Sequence, residues 1–459
     1  MMNIYIKIEI KSRELESRML LAMAAAERGH KVFLGSHPLT LTLVEKKILK
    51  PGIILEKSIT PTKDRINQLS NYRKNNCIIT SLDEEGGFID NKYDIFMNQR
   101  YSEKTIKLTD KIFTWGDHDY KNLIKNFKKY KSVFVSTGNP RVDYWRDEFK
   151  NYYKNQKLFN YPSKRKFVLL TSNFGAMVHQ QTIWQDVELS RINQYFERGA
   201  DEYDNYEFQS YQIRLNAKFV KLIRILSRKF PRINFVIRPH PTESVKAWKA
   251  IIGNYKNIFV IQEGSVGKWI RKSSLVMHNS CTSGIESFAS KVPTIAYRPL
   301  KSRHERKFPN SFSKQIFNEK NFISELKNII IKNKIPIEIN SVKYKKKLSK
   351  RFINLENKLS VDRIVDEWEK LDNGKVSENN NLNNLKIFGK YKDVREKIPI
   401  KKLLLIDRNY YFDRSKYKFP PIKKIEIDQI SKNLKKTLRR FNKVKIKQIS
   451  SRLIYLYRN

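Results

Sequence analysis

Short runs of Val, Ile, Leu and Phe alternate along this chain with segments of helical length. Asn3 to Ile10 reads as a strand, and Ser12 is placed to cap a helix whose apolar stripe, Leu15, Met19, Leu20, Ala22 and Met23, stops at Gly29. Lys31-Val-Phe-Leu-Gly35 then returns as a strand, which completes a βαβ unit. The pattern repeats through Gly52-Ile-Ile-Leu55, Cys77-Ile-Ile-Thr-Ser81, Lys111-Ile-Phe-Thr-Trp115 and Val133-Phe-Val-Ser-Thr137, and Gly138-Asn-Pro-Arg141 supplies the turn that ends it. These segments predict an α/β domain over residues 1–145.

A polar connector from Asp147 to Ser163 leads into a second series. Lys166-Phe-Val-Leu-Leu-Thr171, a helix from about Tyr206 to Phe230, Asn234-Phe-Val-Ile-Arg-Pro-His-Pro241, Ile258-Phe-Val-Ile261, Leu275-Val-Met-His278 and Pro293-Thr-Ile-Ala-Tyr297 predict a second doubly wound domain over 164–335. The insert from Asn173 to Tyr206 reads either as a loop over a cleft or as a surface excursion. Residues 336–373 predict helices packing back on the core, with Phe352, Leu355, Leu359, Ile364, Val365 and Trp368 buried. The Asn/Ser-rich stretch 374–385 reads as a linker. Beyond it, residues 386–459 read as a basic accessory tail, 23 basic against 6 acidic residues, with Leu403-Leu-Leu-Ile406 and a helical stripe of Ile430, Leu434, Leu438 and Phe441.

Ligands of parallel sheets bind beyond the carboxyl ends of the strands, so polar residues just after the apolar runs are the candidates for chemistry. His240 can donate to a phosphate oxygen or a sugar carboxylate, held by Pro239 and Pro241 with Arg238 adding a cation; the plainer role is a histidine bonded to backbone carbonyls. Ser280, Thr282 and Ser283 offer hydroxyls at a helix start where Gly284 permits close approach. Glu286 can take ribose hydroxyls or cap the helix dipole. Asn173, just past the Lys166 to Thr171 run, joins this nucleotide-binding set. In the first half, Leu82-Asp-Glu-Glu-Gly-Gly87 places three acids together, where crowding can raise a carboxyl enough for general-base work, or where they form a solvated turn. Asp117-His-Asp119 reads as a helix cap.

A net charge of +46, from 92 Lys and Arg against 46 Asp and Glu, brings in an anionic partner: nucleic acid, a membrane surface or a phosphorylated substrate. No nucleic-acid-binding module is present, so nucleic acid is not expected. No Gly-x-Gly-x-x-Gly fingerprint follows the first strand, which argues against NAD or FAD. Cys77 and Cys281, the sole cysteines, suggest neither a disulfide framework nor a metal site. The first residues alternate like a strand and lack a signal peptide's apolar core, so a cytoplasmic protein, peripheral at the inner membrane through its basic tail, is expected.

Glu84-Glu85-Gly86, His240-Pro241 and the Ser280 to Ser283 segment together resemble bacterial surface-carbohydrate glycosyltransferases of GT-B fold, the polysialyltransferases and Kdo transferases that use CMP-activated acidic sugars, and more distantly the CDP-glycerol glycerophosphotransferases. The resemblance extends over roughly residues 1–370, including the Arg13-Glu-Leu helix start. It implies two Rossmann-like domains facing a cleft. It also implies Glu84 as general base with Glu85 beside it, His240 and the Ser/Thr pair on the nucleotide, and Ser12, Arg13 and Asp83 on a glycan or lipid-linked acceptor. Neither cofactor nor metal is expected, with the nucleotide-sugar as substrate. A nonhydrolysing UDP-sugar 2-epimerase shares the architecture, but its usual Gly-Gly-x-Gln-Glu-Glu continuation is here Gly284-Ile-Glu-Ser. A basic binding protein on the same scaffold is the third reading.

Overall fold

The computed structural model describes residues 1–459 apart from 89–92, 155, 159, 164, 333–341, 350, 353–357, 373, 375–377 and 398–417. The chain forms two compact units. One comprises Met1–Gly87, Arg100–Tyr144 and Ser349–Asn459, the other Phe88–Gln99 and Trp145–Leu348. Trp145 thus begins the longer segment of the second unit, and Phe88–Gln99 joins it from within the first series.

Among the described residues the first unit contains an eight-stranded sheet. Its strands are β1 (Asn3–Ile8), β2 (Lys31–Ser36), β3 (Ile53–Glu56), β4 (Ile78–Leu82), β5 (Lys111–Thr114) and β6 (Phe134–Ser136), with β13 (Val444–Ser450) and β14 (Leu453–Arg458) from the far end of the chain. The order is β13-β14-β2-β1-β3-β4-β5-β6, with β1 to β6 parallel, so the strand order reverses between β1 and β3. Every residue of β1, β3 and β4 is buried. Strands covered by helices on both faces read as apolar runs, as Ile53-Ile-Leu55 does, whereas β1 alternates, with the polar Asn3 and Lys7 buried in it.

The second unit contains β7 (Phe167–Thr171), β8 (Asn234–Arg238), β9 (Ile258–Val260), β10 (Leu275–His278), β11 (Thr294–Tyr297) and β12 (Lys314–Ile316). All are parallel in the order β12-β11-β10-β7-β8-β9, the Rossmann order with its reversal between β7 and β10. Alternation along each strand feeds two cores. Val168, Leu170, Phe235, Ile237 and Met277 meet Phe219, Leu222 and Leu226 of the helix Glu202–Lys229 on one face. Phe167, Leu169, Val236 and Val276 meet Trp269 and Ile270 on the other. Each such side chain contributes about 1.5–3 kcal/mol on burial, so the sheet is held from both faces.

Three expectations change. Ser12 is not a cap: the helix Lys11–Glu27 starts after Ile10 without a side-chain cap, and Glu14 Oε2 accepts the Glu9 N–H at 2.9 Å instead. The 374–385 stretch is more than a linker. Asn380 accepts from Lys50 N at 2.9 Å and donates to Tyr5 Oη at 3.1 Å, clamping the run to the sheet, and a helix, Leu382–Lys397, begins inside it. The tail 386–459 is not a separate accessory piece, because β14 pairs antiparallel with β2 and β13 with β14. Leu453, Ile454 and Leu456 are buried there and Tyr455 stacks on Phe33 at 4.7 Å, so the chain end completes the core of the first unit. The amphipathic helix expected around Ile430 and Leu434 is present as Lys424–Leu438. Leu403–Ile406 and Leu355 lie outside the described residues. The helix Ser360–Glu369 packs on Lys11–Glu27, burying Ile364, Val365 and Trp368, and Arg28 bonds Asp366 at 2.7 Å.

Candidate functional site

In the second unit the loops after β7, β8 and β10 each carry a candidate two residues beyond the strand: Asn173, His240 and Ser280. All three line one cavity of about 250 Å³ on the side of the strand-order reversal where such folds hold ligands. His179, Asp186 and neighbours from the 173–206 insert close one wall, so that insert, which holds the helix Ile183–Ile192, is part of the cavity. Tyr211 and Gln212 of the long helix and His304 and Arg306 of the loop after β11 complete it.

Glu243, missed in the sequence, holds these loops together. Its carboxylate is 1% exposed and accepts from Phe174 N at 2.8 Å, His240 N at 3.1 Å, Trp248 Nε1 at 2.8 Å and Ser172 Oγ. Burial raises its pKa, and the four donors pull it back. The loops after β7 and β8 thus share one buried acceptor. Its position three residues after His240 was the available signal. The His240 ring accepts the Thr242 N–H at Nδ1, 3.3 Å away, and lies 2.8 Å from Thr242 Oγ1, so a neutral ring carries its proton on Nε2.

The remaining expected nucleotide residues divide. Ser280 adopts a left-handed φ of 53°, and its hydroxyl lies 2.8 Å from Asn279 Oδ1 and takes the Arg306 N–H at 3.0 Å, so it fixes the loop that carries Arg306. Ser283 is buried and its Oγ lies 2.5 Å from Thr171 Oγ1, joining β7 to the segment after β10 across the reversal; it is spent on the fold. Thr282 precedes the helix Ser283–Ala289 without capping it. Gly284 is required by packing: a Cβ there would strike the ring of His278, a buried histidine that burial takes down to about 3 and whose Nε2 lies 2.7 Å from Ser313 Oγ. Arg238 does not line the cavity. It donates to the carbonyls of Glu263, at 2.9 Å, and Gly264, and bracing that loop replaces the phosphate contact expected of it. Pro241 and Glu286 are also outside the lining, and Glu286 faces Gly267. Arg306, which no pattern marked, is the cation of the cavity wall.

Asp204, Glu207 and His304 bring ligand-type atoms within 4.8 Å of one another, but Arg303 already pairs with both carboxylates, at 3.0 and 2.5 Å.

The acids of the first unit follow β4. Glu84 is 2% exposed, 2.5 Å from Arg18 Nη2 and 3.7 Å from Arg141 Nη1. Asp83 is also buried; its Oδ1 accepts the Glu85 N–H at 2.7 Å, and Arg100 stands 3.6 Å from Oδ2. Burial pushes the Asp83 carboxyl up, with Arg100 opposing and Glu85 adding to the rise. Desolvation also works on Glu85, yet its partner Arg100, with Lys57 and Arg13, outweighs it and takes that carboxyl down to about 2. A raised carboxyl among the three was expected from crowding; it is Asp83, and burial is the larger cause. Gly87 N donates to Asp119 Oδ2 at 2.8 Å, so Asp119 holds the acidic loop instead of capping its own helix. Arg13 pairs with Glu14 at 2.8 Å.

No protein-family model matches the sequence, and no curated protein matches it. Solved structures do. MnaA of S. aureus with UDP is 17% identical over 81% of this chain and 97% of its own, with a TM-score of 0.47. The Methanocaldococcus jannaschii UDP-GlcNAc 2-epimerase with UDP-GlcNAc and UDP is 13% identical over 80% and 100%, TM-score 0.47. The wall teichoic acid polymerase TagF is 12% identical over 80% and 88%, TM-score 0.47.

Proposed function

We propose that this protein is an enzyme acting on a nucleotide-activated sugar, and that the cavity of the second unit holds the nucleotide. The observation that carries this reading is the convergence of Asn173, His240 and Ser280 on one cavity at the Rossmann reversal, with Arg306 in its wall. His240 Nε2–H and Arg306 are suited to phosphate oxygens, and Tyr211 and Phe208 offer rings to a base. The favoured reaction is glycosyl transfer from a CMP-linked acidic sugar to a glycan or lipid-linked acceptor in surface polysaccharide synthesis. The acceptor hydroxyl attacks the anomeric carbon and loses its proton to a carboxylate, while the bond to the nucleotide phosphate breaks and fixed cations take up its charge, without a metal.

The second reading is nonhydrolysing 2-epimerisation of a UDP-sugar. Glu84 favours it, since an acid committed to Arg18 and Arg141 is poorly placed to serve as the base, while the raised carboxyl of Asp83 suits giving and taking a proton.

Thermal unfolding with CMP, CDP and UDP separates these. A nucleotide at 100 times its Kd stabilises by about 2.7 kcal/mol; CMP or CDP favours transfer, UDP the epimerase, and no shift from any of them rejects the nucleotide site. His240→Ala is expected to remove the shift. Incubation with CMP-, CDP- and UDP-sugars then reads transfer as acceptor-dependent release of nucleotide and epimerisation as a new nucleotide-sugar without release. In that assay Asp83→Asn is expected to keep the nucleotide shift and lose turnover by about 10²-fold or more. Glu84→Gln is expected to lose stability instead, by about 3–5 kcal/mol, because Arg18 is left buried and unpaired. A folded Glu84→Gln protein without turnover, beside an active Asp83→Asn, returns the base to Glu84.

A further inference from the structure

The helix Leu382–Lys397 carries two opposed apolar faces, and the fold uses one of them. Leu385 is fully buried, a Cβ on Gly389 would come within 2.7 Å of Ser450 in β13, and Asp393 accepts both the Ser451 N–H at 3.0 Å and the Ser451 hydroxyl at 2.7 Å. These contacts fix the helix on the sheet of the first unit. At about 100° per residue, Ile387, Tyr391 and Val394 fall within about 60° of one another on the opposite side. They are 68%, 56% and 56% exposed. Lys386 and Lys390 are exposed beside this stripe, and Lys443, Lys445 and Lys447 are exposed in and beside the strand the helix covers.

We propose that this face is a docking surface for an anionic lipid bilayer. A fixed apolar stripe with lysines along it matches a lipid surface: Ile387, Tyr391 and Val394 enter the headgroup boundary while the lysines meet anionic headgroups. A nucleic acid would use the lysines and could stack a base on Tyr391, but would leave the exposed Ile387 and Val394 without a function. The surface belongs to a segment that completes the first sheet, so bilayer binding would hold the first unit directly and not by a flexible tether. The inference is independent of the proposed reaction.

The test is co-sedimentation of the full chain with vesicles of phosphatidylglycerol and phosphatidylcholine in equal parts, and with vesicles of phosphatidylcholine alone. Binding to the first, weakened by salt, is expected. Ile387→Ser/Tyr391→Ser/Val394→Ser together, and Lys386→Glu/Lys390→Glu together, should each weaken it by about tenfold or more. Both sets change exposed side chains, so thermal unfolding should stay within a few degrees of the parent. The proposal is overturned if the chain does not bind the anionic vesicles, if either variant binds them as the parent does, or if a single-stranded oligonucleotide binds as tightly and loses nothing in the apolar variant. It is also overturned if the stripe proves to join two copies of the chain, seen as a dimer that the apolar variant abolishes.

Discussion

Replacing Glu243 by Gln is expected to remove nucleotide-dependent stabilisation and to lower the stability of the second unit by about 2–5 kcal/mol, as at least one of the buried donors now on Glu243 and the new amide N–H facing it are left without an acceptor. Four donors converge on this carboxylate: Phe174 N on Oε1, and His240 N, Trp248 Nε1 and Ser172 Oγ on Oε2. A glutamine has one acceptor oxygen and turns an NH₂ on the other side, so in either orientation an N–H faces an N–H at a buried position. Relief requires the loops after β7 and β8 to separate, which moves Asn173 and His240 out of register with each other. The expected readout is at least a tenfold loss of nucleotide affinity by calorimetry below the unfolding transition. A control separates positioning from general weakening. Leu226→Ala empties part of the same core, where Leu226 is fully buried, and should cost about 2–5 kcal/mol while keeping nucleotide affinity. If Glu243→Gln keeps the parent affinity, Glu243 has no part in setting the cavity.

The ease with which residues were read from the sequence follows how their surroundings are encoded. The parallel strands were legible because burial on both faces leaves unbroken Val/Ile/Leu runs such as Phe167–Thr171 and Ile53–Glu56. Asn173, His240 and Ser280 were legible because each follows such a run. Which neighbours face the cavity was not, since that depends on side-chain direction within one turn of chain. Ser283 and Gly284, three and four residues after Ser280, are taken up by Thr171 and His278, and Arg238, two residues before His240, is taken up by carbonyls of another loop. Arg306 and His304 reach the site through tertiary folding alone, from a stretch without periodicity. The terminal strand was missed for a different reason. Leu453–Arg458 carries a good strand pattern, but its partner β2 lies more than 400 residues earlier, and a strong Asn-rich signal at 377–384 argued for separation. That run is in fact held to the sheet by its own amides.

A loss of stability as large as that of Glu84→Gln is expected from Glu56→Gln in the first unit. Glu56 ends β3 at the reversal of that sheet and pairs with Lys7 of β1, and their side chains are 0% and 1% exposed. Arg65 Nη1 donates to the other Glu56 oxygen at 2.9 Å, and Lys7 Nζ also reaches Tyr72 Oη at 3.0 Å. Burial drives the Lys7 ammonium down to about 8, with Glu56 resisting; burial works against the Glu56 charge, but Lys7 and Arg65 prevail and bring it to about 2. Removing the carboxylate leaves a buried ammonium facing a guanidinium, a change that costs about 3–5 kcal/mol when one member of a buried pair is deleted. The cost has a pH window. The folded pKa of Glu56 lies below its unfolded value of 4.5, so its contribution is present above 4.5 and fades as pH falls toward 2. Lys7 is depressed from 10.5, so above about 8 the folded ammonium loses its proton and the pair loses its charge, while the unfolded chain still holds it. The gap between parent and Glu56→Gln should therefore be widest between about pH 4.5 and 8 and shrink on either side. Urea unfolding across pH 3 to 10 measures it. Adding Lys7→Met to Glu56→Gln should recover part of the loss, since no buried ammonium then remains and Arg65, 19% exposed, can turn to water. A gap below about 1 kcal/mol at pH 7, or one that does not change with pH, would show that the pair is not what holds β1 and β3 together.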